Sequence, residues 1–188
     1  MVDFEHVHDF YEMETKIPIF GETDRNCSLV KDFHKFFDTD YEFVFKYLTF
    51  IKDVIKPLFP LETKLVIQKT PNIRFHLPGC SNIGSRKTDT DDKIGLHYDN
   101  EFGHPLEEIN IVFALTKMFD TNSIYYQTDG DEYINMKLDE NEFFIGNLNT
   151  KKHYNKINET NQTRVSLDFR IIPYSKFKNG LRTYYMLF

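Results

Sequence analysis

The sequence contains no tryptophan, a single alanine (Ala114) and only two cysteines, Cys27 and Cys80. Two cysteines exclude a disulfide-dense scaffold and a cysteine-based zinc site. Alanine is the strongest helix former, so its scarcity beside 19 Phe and 11 Tyr disfavours a helical bundle. Because aromatic residues are enriched in strands, the composition favours a core built from β-strands.

The sequence also lacks a basic charge excess and a long apolar segment. Its formal net charge of −6 provides no global positive field, so we expect no nucleic-acid partner. The longest uninterrupted apolar run, Ile111–Leu115, is far too short to span a membrane. The acidic N-terminal stretch has no basic segment followed by an apolar one, so we expect a cytoplasmic protein without membrane partners. The sequence does not indicate an oligomeric state.

Two runs of apolar residues at helical spacing occupy the stretch between Ser28 and Pro57. The polar residues 38–40 interrupt these runs, so the pattern predicts two helices with a cap between them. After Pro60, short segments rich in β-branched and aromatic residues alternate with turn residues. The predicted strands are 63–69, 72–77, 93–98, 108–115, 123–128, 132–138, 142–146, 151–155 and 164–172.

The number and spacing of these strands fit an antiparallel sandwich or barrel in a mainly β (α+β) chain. The two N-terminal helices are expected to pack on one outer face of it. A length of 188 residues fits a single domain, 1–188. Within it, residues 1–60 are expected to give extended and helical support, 61–173 to form the β core, and 174–188 to form a C-terminal tail.

Three residues have the chemistry of metal ligands. His97 and Asp99 lie at positions i and i+2 at the end of a predicted strand, so both side chains point to the same face. His153 follows in a later predicted strand. Two imidazoles and one carboxylate on one side of a metal form the facial triad of non-heme iron(II) oxygenases. The alternative is that these are three unrelated surface or capping residues.

An arginine and a serine follow the second histidine. Arg164 and Ser166 share one face of the predicted strand 164–172. A guanidinium fork binds two carboxylate oxygens at once, and a hydroxyl adds one more donor, so the pair suits a planar carboxylate. The alternative for Arg164 is a cross-strand ion pair. Arg170, six residues further on the same face, competes for the anchoring role, but we expect it to pair with a neighbouring acid.

The order His-x-Asp, His and Arg-x-Ser resembles that of Fe(II)/2-oxoglutarate-dependent dioxygenases. The stretches HYDNEFGHPLEEINIVFALTKMFDTNSIYY and NETNQTRVSLDFRIIP look like the streptomycin-biosynthesis-type branch and, more distantly, the phytanoyl-CoA dioxygenase group. The resemblance covers about residues 72–173. It implies a double-stranded β-helix, or jelly-roll, with iron at its mouth.

The resemblance also implies the roles of individual residues. His97, Asp99 and His153 would bind Fe(II), while 2-oxoglutarate and O₂ would be co-substrates. Arg164 and Ser166 would bind the distal carboxylate of 2-oxoglutarate. Two asparagines that match branch positions would be polar groups of the cofactor pocket, and two further residues are substrate-binding candidates. The two asparagines are Asn110 and Asn122. The substrate candidates come from the residue pattern alone: Arg74 lies on the polar face of a predicted strand, which can line a cavity or face solvent, and His104 can line the substrate mouth or pack within its loop.

The implied activity is hydroxylation of a small polar metabolite, such as a sugar or amino-sugar derivative. Related halogenases lack the carboxylate ligand, so Asp99 favours hydroxylation over halogenation. A peptidyl hydroxylase of the prolyl or aspartyl type is an alternative within the family. A non-redox metal enzyme of the cupin type would use the same triad without 2-oxoglutarate, and a non-catalytic binding module would use neither.

Overall fold

The computed structural model describes residues 3–9, 28–81, 93–178 and 184–188. Within these ranges the chain is mainly β, with two antiparallel sheets and few helices, which confirms the predicted class at that level. The strands are β1 Leu65–Gln68, β2 Asn72–His76, β3 Ile94–His97, β4 Ile109–Ala114, β5 Ile124–Gln127, β6 Tyr133–Asn135, β7 Phe143–Gly146, β8 His153–Asn155, β9 Arg164–Pro173 and β10 Tyr185–Leu187.

The two predicted helices are present. Helix α1 is Ser28–Thr39 and helix α2 is Tyr41–Phe50, which continues into a π-helical turn at Ile51–Ile55. The break between α1 and α2 supplies the predicted cap, because the backbone N–H of Phe43 donates to Oδ1 of Asp40 at 2.9 Å. This bond satisfies one of the backbone donors that a helix N-terminus leaves open.

The helices cover the outer face of the larger sheet. Ile51 and Ile55 are fully buried, and they pack in one apolar cluster with Phe169 and Ile171 of β9. The Tyr47 hydroxyl in the same cluster donates to the carbonyl of Gln68 at 2.8 Å. Truncating a buried isoleucine of this kind to alanine costs about 2–5 kcal/mol, so this layer holds the helices on the sheet.

Strand β9 is the centre of the large sheet, whose order is β10-β1-β9-β4-β7. One edge of β9 pairs with β2 through its first half and with β1 through its last residues, while β4 pairs along the other edge. Because strand side chains alternate, Val165, Leu167, Phe169 and Ile171 of β9 point to the helices, whereas Ile172 packs in a separate cluster with Val66 and Tyr185. Its polar residues point to the opposite, inner face, and they are Arg164, Ser166, Asp168 and Arg170.

The small sheet, ordered β3-β8-β5-β6, contains both candidate ligand histidines, His97 at the end of β3 and His153 at the start of β8. One apolar cluster joins side chains from both sheets and includes Val112 and Ala114 of β4, Ile124 of β5 and the buried Met136. This cluster packs the two sheets together.

Two segments differ from the expected architecture. Phe4–Asp9 forms a short 3₁₀ helix rather than an extended lead-in, and residues 10–27 lie outside the described part of the chain. Tyr185–Leu187, assigned to a tail, instead forms strand β10 at the edge of the large sheet. In the described ranges, no helix is long and apolar enough to cross a membrane.

Candidate metal centre

The pairing of β3 with β8 brings the two histidines together. His97 and His153 are directly opposite each other in the antiparallel register, and their ring centroids are 4.2 Å apart. Asp99 begins a short 3₁₀ helix just beyond β3, but the intervening Tyr98 keeps an extended backbone (φ −124°, ψ 146°). Extended geometry therefore continues through the His97-x-Asp99 triplet, which places both side chains on one side.

The three ligand atoms converge on one point. Oδ1 of Asp99 is 3.5 Å from Nε2 of His97 and 3.6 Å from Nε2 of His153, and all three atoms lie within 4.8 Å of one another. Donor atoms that bind one ion at about 2.0–2.2 Å are about 3–3.5 Å apart. The two distances from Asp99 lie close to this range, so the three groups form a candidate site for a single divalent transition metal.

Hydrogen bonds orient both imidazole rings. Nδ1 of His97 bonds the carbonyl of Gly95, and Nδ1 of His153 bonds the carbonyl of Lys151 at 3.1 Å. A ring that donates Nδ1–H to a carbonyl presents the lone pair of Nε2, which is the atom that faces the site.

A bulge in β3 provides the first of these carbonyls. Gly95 has a φ of +67°, and the register between β3 and β8 shifts between Ile94 and His97. Glycine adopts this left-handed conformation without the steric cost of a Cβ. The bulge therefore places the Gly95 carbonyl beside the imidazole of its own strand.

Asp99 divides its two oxygens between the site and the protein. Oδ2 accepts hydrogen bonds from Arg170 Nη2 and from Asn110 Nδ2, each at 2.8 Å, while Oδ1 faces the histidines. Burial alone raises the pKa of the Asp99 carboxyl group. The proximity of His97 and the charge of Arg170 outweigh burial, so the pKa lies below its ordinary value and Asp99 is ionised.

His153 is held in the neutral form that binds metals. Burial, followed by the proximity of His97, lowers the pKa of His153 to about 4. The histidine side chains nevertheless keep 15% (His97) and 10% (His153) of their surface accessible, so a metal ion can reach them.

The predicted carboxylate anchors lie on the inner face of β9. Arg164 is fully buried, and its Nη1 is 3.4 Å from Oδ1 of Asn155, two residues after His153 on β8. Ser166 is 1% exposed, and its Oγ has no hydrogen-bond partner among the described residues. A buried hydroxyl without a partner costs free energy, so Ser166 retains an unused hydrogen-bonding group on the inner face of β9.

Arg170, the competing anchor, pairs with acids as expected. Besides Asp99, its guanidinium lies 3.4 Å from Glu108 and 3.8 Å from Asp168. The sequence did not reveal that Arg170 pairs with the metal-ligand candidate Asp99, because the two residues are 71 positions apart.

The two asparagines assigned to the cofactor pocket bond to protein groups. Asn110 donates to Oδ2 of Asp99 and accepts from the backbone N–H of Leu148 at 2.9 Å. It therefore orients the candidate ligand Asp99 from the side away from the histidines. Asn122 is fully buried, and its Oδ1 accepts from the backbone N–H of Phe119 at 2.8 Å inside its own turn.

The two substrate candidates occupy different surroundings. Nε of Arg74 is 2.6 Å from Oδ2 of Asp168, and each side chain keeps 21% of its surface accessible although both lie on the inner face of the large sheet. Nδ1 of His104 is 2.9 Å from Oε2 of Glu108. Glu108 was missed by sequence reasoning, although it shares one strand face with Asn110.

Fold and site together define a two-sheet β protein with a two-histidine, one-carboxylate centre. Over 112 residues, or 60% of this chain, the sequence is 30% identical to the streptomycin biosynthesis protein StrG of Streptomyces griseus. The matched region is 49% of StrG, so the chain covers about half the length of this curated relative. No protein-family model matches the chain.

Among solved structures, the chain shows a partial likeness to the non-heme monooxygenase ThoJ. Its nickel complex superimposes with a TM-score of 0.44 at 16% identity, covering 58% of this chain and 45% of ThoJ. Its apo form gives a TM-score of 0.44 at 13% identity, covering 58% of this chain and 47% of that chain.

Proposed function

We propose that the chain is an Fe(II)- and 2-oxoglutarate-dependent oxygenase whose two sheets form a jelly-roll within a single domain. The observation that carries the proposal is the convergence of His97, Asp99 and His153, with the buried pair Arg164 and Ser166 on the inner face of β9. The first three are suited to a ferrous ion, and the last two are suited to a carboxylate.

The donor set supports a resident iron. Two neutral imidazoles and one carboxylate give a weakly charged site that leaves coordination positions for further ligands. Arg170 and Asn110 engage the second oxygen of Asp99, so this carboxylate offers one oxygen rather than two. This arrangement keeps positions available for a chelating co-substrate.

Arg164 and Ser166 are proposed to hold the distal carboxylate of 2-oxoglutarate. The guanidinium of Arg164 offers a fork of N–H donors, and the Ser166 hydroxyl lies two residues away on the same face. Both side chains are at most 1% exposed, so water competes weakly for the carboxylate they bind.

When bound, iron and 2-oxoglutarate would allow O₂ to oxidise a C–H bond of the substrate. The chain's own contribution is coordination, orientation and shelter. His97 and His153 keep their Nε2 atoms aimed at one point through backbone hydrogen bonds, and Arg164 orients the co-substrate from the opposite end.

We propose a small polar substrate, because accessible polar side chains lie on the inner face of the large sheet. Arg74 and Asp168 leave part of their charged surface accessible on the inner face, and Asn72 donates to Oδ1 of Asp168 at 2.7 Å. Phe102 lies on the solvent side, 54% exposed and edge-on to the ring of His97 at 5.2 Å. These charged and aromatic groups suit a substrate with several hydroxyl or amino groups.

Succinate formation tests the proposal. Purified chain with Fe(II), ascorbate and 2-oxoglutarate in air is expected to release succinate, at least by slow turnover without substrate. His153→Ala is expected to abolish the release, whereas His34→Ala, on the helix layer, is expected to retain it.

An anaerobic titration separates the proposal from a cupin-type enzyme. Adding 2-oxoglutarate to the Fe(II)-bound chain without oxygen is expected to produce a visible charge-transfer absorption. A metal-bound chain that neither changes its spectrum nor forms succinate would overturn 2-oxoglutarate dependence while leaving the metal site intact.

A further inference from the structure

Glu108 is a buried carboxylate with three side-chain partners. It is 1% exposed and immediately precedes β4. Oε1 accepts from the hydroxyl of Tyr185, Oε2 is 2.9 Å from Nδ1 of His104, and Oε2 is also 3.4 Å from Nε of Arg170. A buried charge is costly unless it is paired, so these partners account for its presence.

Arg170 connects Glu108 to the metal centre. Its Nε and Nη2 both donate to Oδ2 of Asp99, at 3.3 and 2.8 Å, and the same Nε lies 3.4 Å from Oε2 of Glu108. Glu108 and Asp99 therefore flank the same edge of a guanidinium whose N–H donors form a rigid fork, so a shift of Glu108 would shift that edge. The position of Glu108 therefore restrains the position of Asp99.

The charges around Arg170 also link Glu108 to the metal site. Three carboxylates, Asp99, Glu108 and Asp168, surround Arg170, while Arg74 offers the second positive charge. This cluster carries one more negative than positive charge, which favours a cation at Oδ1 of Asp99. Neutralising Glu108 would remove that excess negative charge. The positive charge of Arg170 would then attract the Asp99 carboxylate more strongly and weaken its interaction with a cation.

We propose that Glu108 is a positioning residue for the metal site, which it controls through Arg170. Its carboxylate fixes Arg170 so that one oxygen of Asp99 is held by the protein and the other is presented to the metal. The inference rests on the metal-binding part of the proposed function and extends it to a residue outside the ligand set. Outer-shell partners of this kind typically change metal affinity about 10–100-fold.

The test is a Co(II) titration of Glu108→Gln, followed by visible absorption, which reports both affinity and coordination geometry. Glutamine keeps the shape of the side chain and an acceptor for Tyr185 but removes the charge. The dissociation constant is expected to rise about tenfold, with a changed spectrum. Glu107→Gln is the matched control, because this neighbouring acid pairs with Lys178 at 2.6 Å on the surface.

Tyr185→Phe separates charge from packing. It removes one bond to Glu108 but leaves the carboxylate in place, so we expect a lower melting temperature and Co(II) affinity within about twofold of wild type. A tenfold loss in Tyr185→Phe would show that packing alone sets the affinity, and it would overturn the inference even if Glu108→Gln failed to fold.

The controls also separate this inference from the proposed function. If the wild type and Glu107→Gln bind Co(II) and Glu108→Gln binds it equally well with the same spectrum, only the role of Glu108 is refuted. If none of them binds a divalent metal, the proposed function fails and the inference fails with it.

Discussion

Arg170 and Arg164 project from the same face of β9, but they contact different halves of the site. Arg170 donates to Oδ2 of Asp99 at 2.8 Å, whereas Nη1 of Arg164 is 3.4 Å from Oδ1 of Asn155. One arginine therefore supports the metal-ligand candidate, and the other remains beside the space proposed for a co-substrate. This division makes the two positions separable by experiment.

Lysine substitutions at the two positions are expected to have different effects. Arg164→Lys replaces a fork by a point charge, so the dissociation constant of 2-oxoglutarate should rise about 10–100-fold while metal affinity is retained. Arg170→Lys should weaken metal binding about tenfold, with less effect on the co-substrate. Anaerobic titrations with Fe(II) and then 2-oxoglutarate measure both constants.

The reverse result would reassign the anchor. If Arg164→Lys binds 2-oxoglutarate normally and Arg170→Lys does not, Arg170 holds the co-substrate.

Loss of the carboxylate ligand should abolish metal binding. Asp99→Ala removes one of three donors and leaves Arg170 without its closest acid, so metal affinity should fall by more than about 100-fold, beyond the usual effect of an outer-shell change. Equilibrium dialysis with Co(II) measures it. Asp139→Ala, which removes an exposed acid paired with Lys117 at 2.7 Å, provides the same charge change and should bind normally. Normal binding by Asp99→Ala would remove this residue from the ligand set.

Local features of the fold could be predicted from the sequence because their causes are local. The capping role of Asp40 follows from a polar break between two apolar stripes, and the inner face of β9 follows from strict alternation. Strand β10 was missed because Tyr185–Leu187 is short and lacks that alternation. It becomes a strand only because β1 offers it a free edge.

The site's supporting contacts could not be predicted, because they depend on register. Motif order suggested that His97 and His153 act together, but only the pairing of β3 with β8 places them opposite each other. The contacts of Asn110 and Arg170 with Asp99 likewise arise from the direct pairing of β4 with β9, where those two residues are opposite. Spacing along the chain carries no information of this kind.

The bulge at Gly95 gives a prediction that concerns the backbone. Gly95→Ala places a Cβ on a residue with a φ of +67°, so the bulge should shift and displace the carbonyl that orients His97. We expect a loss of about 1 kcal/mol or more in the free energy of unfolding and weaker Co(II) binding. Urea denaturation and Co(II) titration measure the two effects.

A core variant tests whether the Gly95 effect is specific. Ile51→Ala should lower stability by about 2–5 kcal/mol from the helix layer without weakening metal binding in the folded protein. Equal losses of metal affinity in both variants would attribute the Gly95 result to general destabilisation.

Acid sensitivity should depend partly on Asp168. Burial raises the pKa of this carboxyl group, but the charges of Arg74 and Arg170 outweigh burial, so the pKa lies below its ordinary value of 3.8. The folded state therefore holds its proton less tightly than the unfolded chain. The stability that Asp168 contributes is complete well above pH 3.8 and is lost as the pH falls through the lower, folded-state pKa.

Asp168→Asn measures this contribution, because the amide keeps the shape but does not titrate. The difference in unfolding free energy between wild type and variant should be constant near neutral pH and should shrink as the pH falls below about 3.8. Urea denaturation at closely spaced pH values follows the difference, and the neutral plateau serves as the internal control. A difference that stays constant to the lowest pH at which the protein folds would show that the ion pair with Arg74 at 2.6 Å does not depress the pKa.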